Sequence, residues 1–342
     1  MDLLVVTKGV GFGHSIRDIQ ITNRIKELQP DLDIHFASYG DGVNAYRLHG
    51  IESIDLCSGE TENVTDIKCN VDNVIKIVQP QYIMFDEMEE VVCCAKKNRI
   101  PSCYISNYIN KQVVEKVLTD CEAYIYAEIM DQYISGLEQQ KMKKVFCVGP
   151  IVQKLLPATE RTGEVIPKKI TIFLGGSKQR LVQMENVWLI YNIAHLLPDY
   201  KITVVGEEYE QLLGKSKWKN ISWLKRNAQM KREYLDNRIC ITRGGINTLW
   251  EMALGGYACL AIPYSEKVNC MEQHYVRVME QRGCVKKAMY SDLRDGSIRD
   301  IIEKMRYETE YYIKAKVNAT DLQNSVKNNL DMALHYCLKN LK

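Results

Sequence analysis

A histidine set behind three glycines is the first group in this sequence able to do chemistry. The run Thr7-Lys8-Gly9-Val10-Gly11-Phe12-Gly13-His14-Ser15 leads from an apolar stretch into a helical one. Its glycines let backbone amides approach a ligand, and the helix N-terminus behind them favours negative or electron-rich groups. A plain tight turn would use the same residues. An imidazole has the unperturbed pKa best suited to moving protons near neutral pH, so His14, expected at the helix N-cap, is a candidate general base. Its orienting partner would be a carboxylate at the end of a neighbouring strand. Tyr82-Ile83-Met84-Phe85-Asp86 runs an apolar strand into Asp86, which would serve equally as the N-cap of the next helix. The spacing Gly-x-Gly-x-Gly is not the dinucleotide fingerprint, and the next strand ends Ala37-Ser38-Tyr39 without an acid for a ribose. A nicotinamide dehydrogenase is disfavoured.

The second half carries a more specific pattern. Thr171-Ile172-Phe173-Leu174 runs into the small-residue turn Gly175-Gly176-Ser177. Farther on, Ile241-Thr242-Arg243-Gly244-Gly245-Ile246-Asn247-Thr248 is a strand, a glycine turn and a helix start, continuing through Glu251. Backbone amides at Gly245–Thr248 could cradle a diphosphate, with the Thr248 hydroxyl as a further donor. Glu251, four residues after Asn247, shares its side of the helix and could accept two hydrogen bonds from a ribose diol. After the strand ending Ile262-Pro263-Tyr264, Glu272 and Gln273 open another helix with groups able to reach a sugar.

These residues need strands to carry them. Short apolar runs alternate with helical periodicity from end to end, which implies βαβ units and parallel sheets. Strands are expected at Leu3–Thr7, Asp33–Ala37, Glu52–Asp55, Tyr82–Phe85, Ser102–Ile105, Ala123–Tyr126 and Val145–Val148. A second series covers Ile170–Leu174, Lys201–Val205, Ile221–Leu224, Ile239–Thr242 and Cys259–Ile262. Helices fit Ser15–Gln29, Arg180–Leu197, Ile246–Leu254, Met271–Gln281 and a long pair beyond Ile298. The fold class is α/β: two Rossmann-like, doubly wound domains facing across a cleft. Residues 1–149 form the first, 150–168 a linker and 169–310 the second, with C-terminal helices over 311–342 packing back on the body. In such sheets ligands bind outside the carboxyl ends of the strands, where both glycine turns stand.

Composition narrows the chemistry further. The 342 residues hold 45 lysines and arginines against 43 acids, a balance that argues against nucleic acid as a partner. No apolar run is long enough for a membrane span and no signal peptide opens the chain, so a cytoplasmic protein is expected. The 12 cysteines contain no Cys-x-x-Cys pair or zinc spacing and read as reduced, buried thiols. Asp31-Leu32-Asp33 superficially resembles a metal-binding pair but falls at the amino end of a strand, so no metal is expected, and no cofactor. The basic residues Lys215, Lys217, Lys219, Lys225 and Arg226 read first as a solvated face, and second as a peripheral contact with anionic lipid. Tyr307, Tyr311 and Tyr312 read as a stripe packing the C-terminal helix onto the body.

Taken in order, these motifs resemble inverting GT-B glycosyltransferases. They are the histidine-ended glycine loop, the Val148-Gly149-Pro150 linker, the Gly-Gly-Ser turn, the Arg-Gly-Gly-x-x-Thr-x-x-Glu helix and the later Glu-Gln. The nearest kin are MurG-type N-acetylglucosaminyltransferases and UDP-glycosyltransferases. The resemblance implies a second domain that binds a nucleotide-sugar donor, with UDP the expected carrier, and a first domain that binds an acceptor. It places Gly175, Gly176, Ser177, Gly245 and Thr248 near the diphosphate, Glu251 on the ribose, and Glu272 and Gln273 on sugar hydroxyls. His14 becomes the acceptor-side base, Asp86 the acid that orients it, and Gly11, Phe12 and Gly13 the acceptor loop. Val10 and Phe12 replace the small residues of MurG-like loops, which implies an acceptor other than the peptidoglycan lipid; a small molecule, glycan or other lipid-linked acceptor is expected. Retaining relatives carry a Glu-x7-Glu pattern, but Arg243 stands eight residues before Glu251, so inversion is implied, with Arg243 and helix amides meeting the leaving-group charge. Gly-Phe-Gly-His followed by Arg17 also resembles a sugar-nucleotide hydrolase, in which His14 would activate water. A non-catalytic sugar-nucleotide-binding subunit is the third reading.

Overall fold

The computed structural model describes all residues except 58–62, 130–138, 154, 160–162, 175–179, 207, 215–217, 226–231, 267, 269, 327–328 and 340–342. The chain forms two compact units: Met1–Gln153 together with Leu322–Lys342, and Lys154–Asp321.

The first unit carries strands β1 (Asp2–Thr7), β2 (Asp33–Ser38), β3 (Ser53–Asp55), β4 (Tyr82–Asp86), β5 (Ser102–Ser106), β6 (Ala123–Tyr126) and β7 (Val145–Cys147). They lie in the order β3-β2-β1-β4-β5-β6-β7, all parallel. The central strands are apolar almost throughout, as strands covered on both faces must be. The order reverses between β1 and β4, whose register sets Thr7 opposite Asp86. The glycine loop and Asp86 therefore stand side by side at the switch point where such sheets bind ligands.

A second six-stranded parallel sheet runs β10-β9-β8-β11-β12-β13. Its strands are β8 (Lys169–Phe173), β9 (Lys201–Val205), β10 (Ile221–Leu224), β11 (Ile239–Thr242), β12 (Ala258–Ala261) and β13 (Lys286–Lys287). Here the order reverses between β8 and β11. The pattern is repeated, with the same consequence for where a ligand sits.

The expected strands are present with ends shifted by a residue or so; β13, two residues long, escapes a reading based on apolar runs. The C-terminal region departs more. Beyond Met289 it forms four helices, Tyr290–Asp295, Ile298–Met305, Thr309–Asn324 and Asn329–Leu338. They divide between the units. Tyr312, Ala315 and Ala319 are buried in the second. Ala333, Leu334, Cys337 and Leu338 join Leu3, Val5 and Ile19 in the core of the first. Of the tyrosine stripe, Tyr312 is buried and Tyr311 packs against it edge-on, but Tyr307 is exposed in the turn between two helices. No helix among the described residues is long and apolar enough to cross a membrane.

Candidate active site and donor site

In the first unit the loop after β1 is shaped by its neighbours. A Cβ at Gly9 would stand 2.1 Å from the Tyr39 carbonyl oxygen, so only glycine fits there. The Gly11 amide donates to Asp41 at 3.2 Å, which spends it inside the protein. The helix begins at Gly13 with Phe12 as its N-cap, so His14 lies within the first turn rather than at the cap.

His14 and Asp86 meet directly. Nδ1 of the imidazole lies 2.7 Å from Asp86 Oδ1, a separation that requires a proton between them. In the neutral imidazole a proton on Nδ1 puts the lone pair on Nε2, the arrangement a general base needs. Asp86 is fully buried and does not cap a helix; its carboxylate takes Nε of Arg17 at 2.8 Å and Nη2 at 2.5 Å. Burial opposes ionisation of Asp86, but Arg17 and His14 more than reverse it and hold the carboxyl well below its ordinary range. Arg17 itself is 1% exposed, and Asp86 with its neighbours holds its charge firmly.

Three more residues complete the cluster. Asp18 is buried beside them, accepting from Thr7 Oγ1 at 2.6 Å and Tyr46 at 3.3 Å. Burial and the Asp86 charge push its carboxyl well up. Glu87 follows Asp86 in a left-handed conformation (φ 49°), with Oε2 3.8 Å from His14 Nε2. Its other oxygen accepts from Ser106 and the Asn107 amide, each at 3.1 Å. Burial resists its ionisation, yet His14 and Arg17 keep it below its usual value. His14, Asp86 and Glu87 also offer ligand atoms within 4.8 Å of one another, but Arg17 and the Nδ1 proton already occupy Asp86.

The second unit gathers a different set at its own switch point. Arg243, at the end of β11, is 1% exposed. Its Nη2 donates to Glu185 at 3.0 Å and to Tyr290, and its guanidinium stacks 4.0 Å from the Tyr264 ring centre. Its Nε and Nη1 are buried with no hydrogen-bond partner among the described residues. Glu185 also accepts from Ser265 and Tyr290; these contacts and Arg243 outweigh burial and keep it ionised. Gly244 takes φ +94°, and a Cβ there would stand 2.6 Å from Val276. A Cβ on Gly245 would meet nothing within 4 Å, so the backbone at this helix N-terminus is open to approach.

Of the expected donor residues, Arg243, Gly245, Thr248 and Glu251 share one turn and helix, Ile246–Gly255. Glu251 is 6% exposed, which excludes a carboxylate merely solvating an outer turn. Glu272 and Gln273 lie in the first turn of Cys270–Gln281. Burial pushes the Glu272 carboxyl up to about 8 despite Arg243, and Gln273 donates to the Tyr264 carbonyl at 2.5 Å. Gly175, Gly176 and Ser177 lie outside the described residues, as do Lys215, Lys217 and Arg226. Reading the sequence for motifs missed Asp18, Glu87, Glu185, Tyr264 and Tyr290 as members of either cluster, and gave Arg17 no role. Arg17 carried the best available signal, standing one helical turn after His14.

Residues 173–330 match the model of the glycosyltransferase family 28 C-terminal domain. Over 364 aligned residues the chain is 22% identical to UDP-N-acetylglucosamine–N-acetylmuramyl-(pentapeptide) pyrophosphoryl-undecaprenol N-acetylglucosamine transferase of Clostridium tetani, covering 98% of this chain and 99% of the relative. Among solved structures it matches the spinosyn rhamnosyltransferase SpnG, with a TM-score of 0.68, 12% identity, and 99% and 100% of the two chains covered. It matches Acinetobacter baumannii MurG with a TM-score of 0.60, 12% identity, and 99% of each chain covered. The fold is GT-B, and the chain is a glycosyltransferase that resembles the MurG-type enzymes and the UDP-glycosyltransferases.

Proposed function

We propose that this protein moves a sugar from a nucleotide diphosphate carrier, UDP by preference, to an acceptor hydroxyl with inversion at the anomeric carbon, and that His14 is the base. The observation that carries the reading is the His14–Asp86 pair at the β1/β4 switch point, with Nδ1 tied at 2.7 Å and Nε2 left to take a proton. The acceptor hydroxyl loses its proton to Nε2 as its oxygen attacks, and Asp86 stabilises the imidazolium that forms. The second unit supplies the donor. Gly245 and Thr248 hold the diphosphate, Glu251 the ribose, and Glu272 and Gln273 the sugar. Arg243, with two buried donors in hand, meets the charge that grows on the leaving group. Helix amides and a guanidinium suffice for that charge, so neither metal nor cofactor takes part. The acceptor is a small molecule, a glycan or a lipid-linked sugar, met on the cytoplasmic side of the membrane.

The test is turnover. His14→Ala should cost about two to four powers of ten in kcat and leave UDP affinity unchanged. Asp86→Asn should be nearly silent once His14 is gone, because it acts through the imidazole. A His14→Ala enzyme that keeps half its turnover would sink the assignment. UDP release that needs no acceptor would favour the hydrolase, and loss of activity with EDTA, restored by magnesium, would overturn the metal-free account.

A further inference from the structure

The base has a second carboxylate on its working side. Asp86 serves Nδ1, whereas Glu87 Oε2 stands 3.8 Å from Nε2, the nitrogen that meets the acceptor. Glu87 is held there at some cost, since a glutamate at φ 49° occupies a conformation that side chains with a Cβ seldom take. Its amide donates to the Ile105 carbonyl at 3.0 Å, and Ser106 and Asn107 fix its Oε1, so Oε2 alone faces the base. The carboxylate is ionised and can only accept.

Any hydroxyl arriving at Nε2 therefore finds two acceptors and has one proton to give. A lone alcohol would satisfy His14 and have no proton left for Glu87 Oε2 beside it. Two neighbouring hydroxyls answer both, each hydrogen bond spanning about 2.8 Å, which suits acceptor atoms as close as these. We propose that Glu87 selects an acceptor with a vicinal diol, one hydroxyl reacting at Nε2 while its neighbour donates to Glu87 Oε2. Glu87 is here a specificity residue. The inference rests on His14 as the acceptor-side base, and it names the class of acceptor that base receives.

The two ideas can fail separately. The His14 ring signals, read by NMR against a His14→Gln protein that identifies them, report on the subsite with no turnover required. Titration with cis-1,2-cyclohexanediol should shift them at a concentration about tenfold or more below that needed for its monomethyl ether, because a site built for a second donor penalises its loss. The preference should collapse in Glu87→Gln, which keeps the Oε1 contacts. It should also collapse in Glu87→Asn, a residue that tolerates positive φ and withdraws from the base, should the glutamine variant fold poorly. Equal responses to diol and ether, no response to either, or a preference that survives both variants would overturn the proposal. Selective binding without transfer from UDP-N-acetylglucosamine or UDP-glucose to any diol would overturn the transferase reading and leave the two-donor subsite standing. UDP release in plain buffer as fast as with the diol, and lost in Glu87→Gln, would make water the two-donor ligand and overturn the diol.

Discussion

Each unit buries one arginine at its sheet's switch point, and the two are used differently. Arg17 and Arg243 are both 1% exposed. Arg17 spends Nε and Nη2 on Asp86, with Nη2 also 3.6 Å from Glu87, both carboxylates of the same unit. Arg243 gives only Nη2 to Glu185 and Tyr290, and keeps Nε and Nη1 unpartnered in a place water does not reach. A buried donor without an acceptor is costly, so such groups persist where an outside partner completes them. The first cluster closes on itself around one imidazole, though Asp18 Oδ1 is also buried without a hydrogen-bond partner among the described residues. The second is a half-made contact, suited to an anion that arrives from solution.

The contrast breaks most readily at the arginines themselves. Arg17→Met strips a buried carboxylate of its main counter-charge and should cost about 3–5 kcal/mol in urea unfolding. Arg243→Met removes a group already short of partners and should cost far less in the absence of ligand; equal losses would erase the distinction. The pH dependence sharpens it. Asp86 is held low, so its contribution is present above the unfolded carboxyl range near about 4 and is lost as pH falls through the folded value. In Arg17→Met burial is left to raise the Asp86 carboxyl, so that acid-side loss should shrink or reverse.

Next in size is the donor helix. Glu251→Ala should weaken UDP binding by about one to three powers of ten in calorimetry, since a shielded carboxylate on a diol makes charge-assisted bonds. Unchanged affinity would remove Glu251 from the site. The second unit carries a pH effect of its own. The Glu272 carboxyl, pushed up to about 8, keeps a proton that the unfolded chain releases above its ordinary 4.5. Stability should therefore fall as pH rises from the lower value to the upper, and Glu272→Gln should flatten that slope.

Much of this was readable before any coordinates. The strand series and both glycine turns follow from period and punctuation, and the sheet order then sets Thr7 opposite Asp86. What escaped was whatever depends on side chains converging from distant positions. Glu185 meets Arg243 from 58 residues away and Tyr290 meets it from 47, with no local pattern to announce either. Asp18 reads as an ordinary polar residue of an amphipathic helix, and only its burial beside Asp86 pushes its carboxyl up. Glu87 was hidden for another reason: its role comes from a backbone angle that its residue type does not advertise.

The helix Asn329–Leu338 sets the order of events when the protein is made. It packs against β6 and β7, translated some two hundred residues earlier, so that side of the core stays open until residues past 330 have left the ribosome. The second unit, continuous in sequence, has no such wait. At about 5–20 residues per second the gap amounts to many seconds during which Tyr82, Cys103 and Phe146 lack their partners Cys337 and Tyr336. A chaperone that recognises exposed apolar strands should bind the nascent first unit and let go once Leu334 and Cys337 arrive.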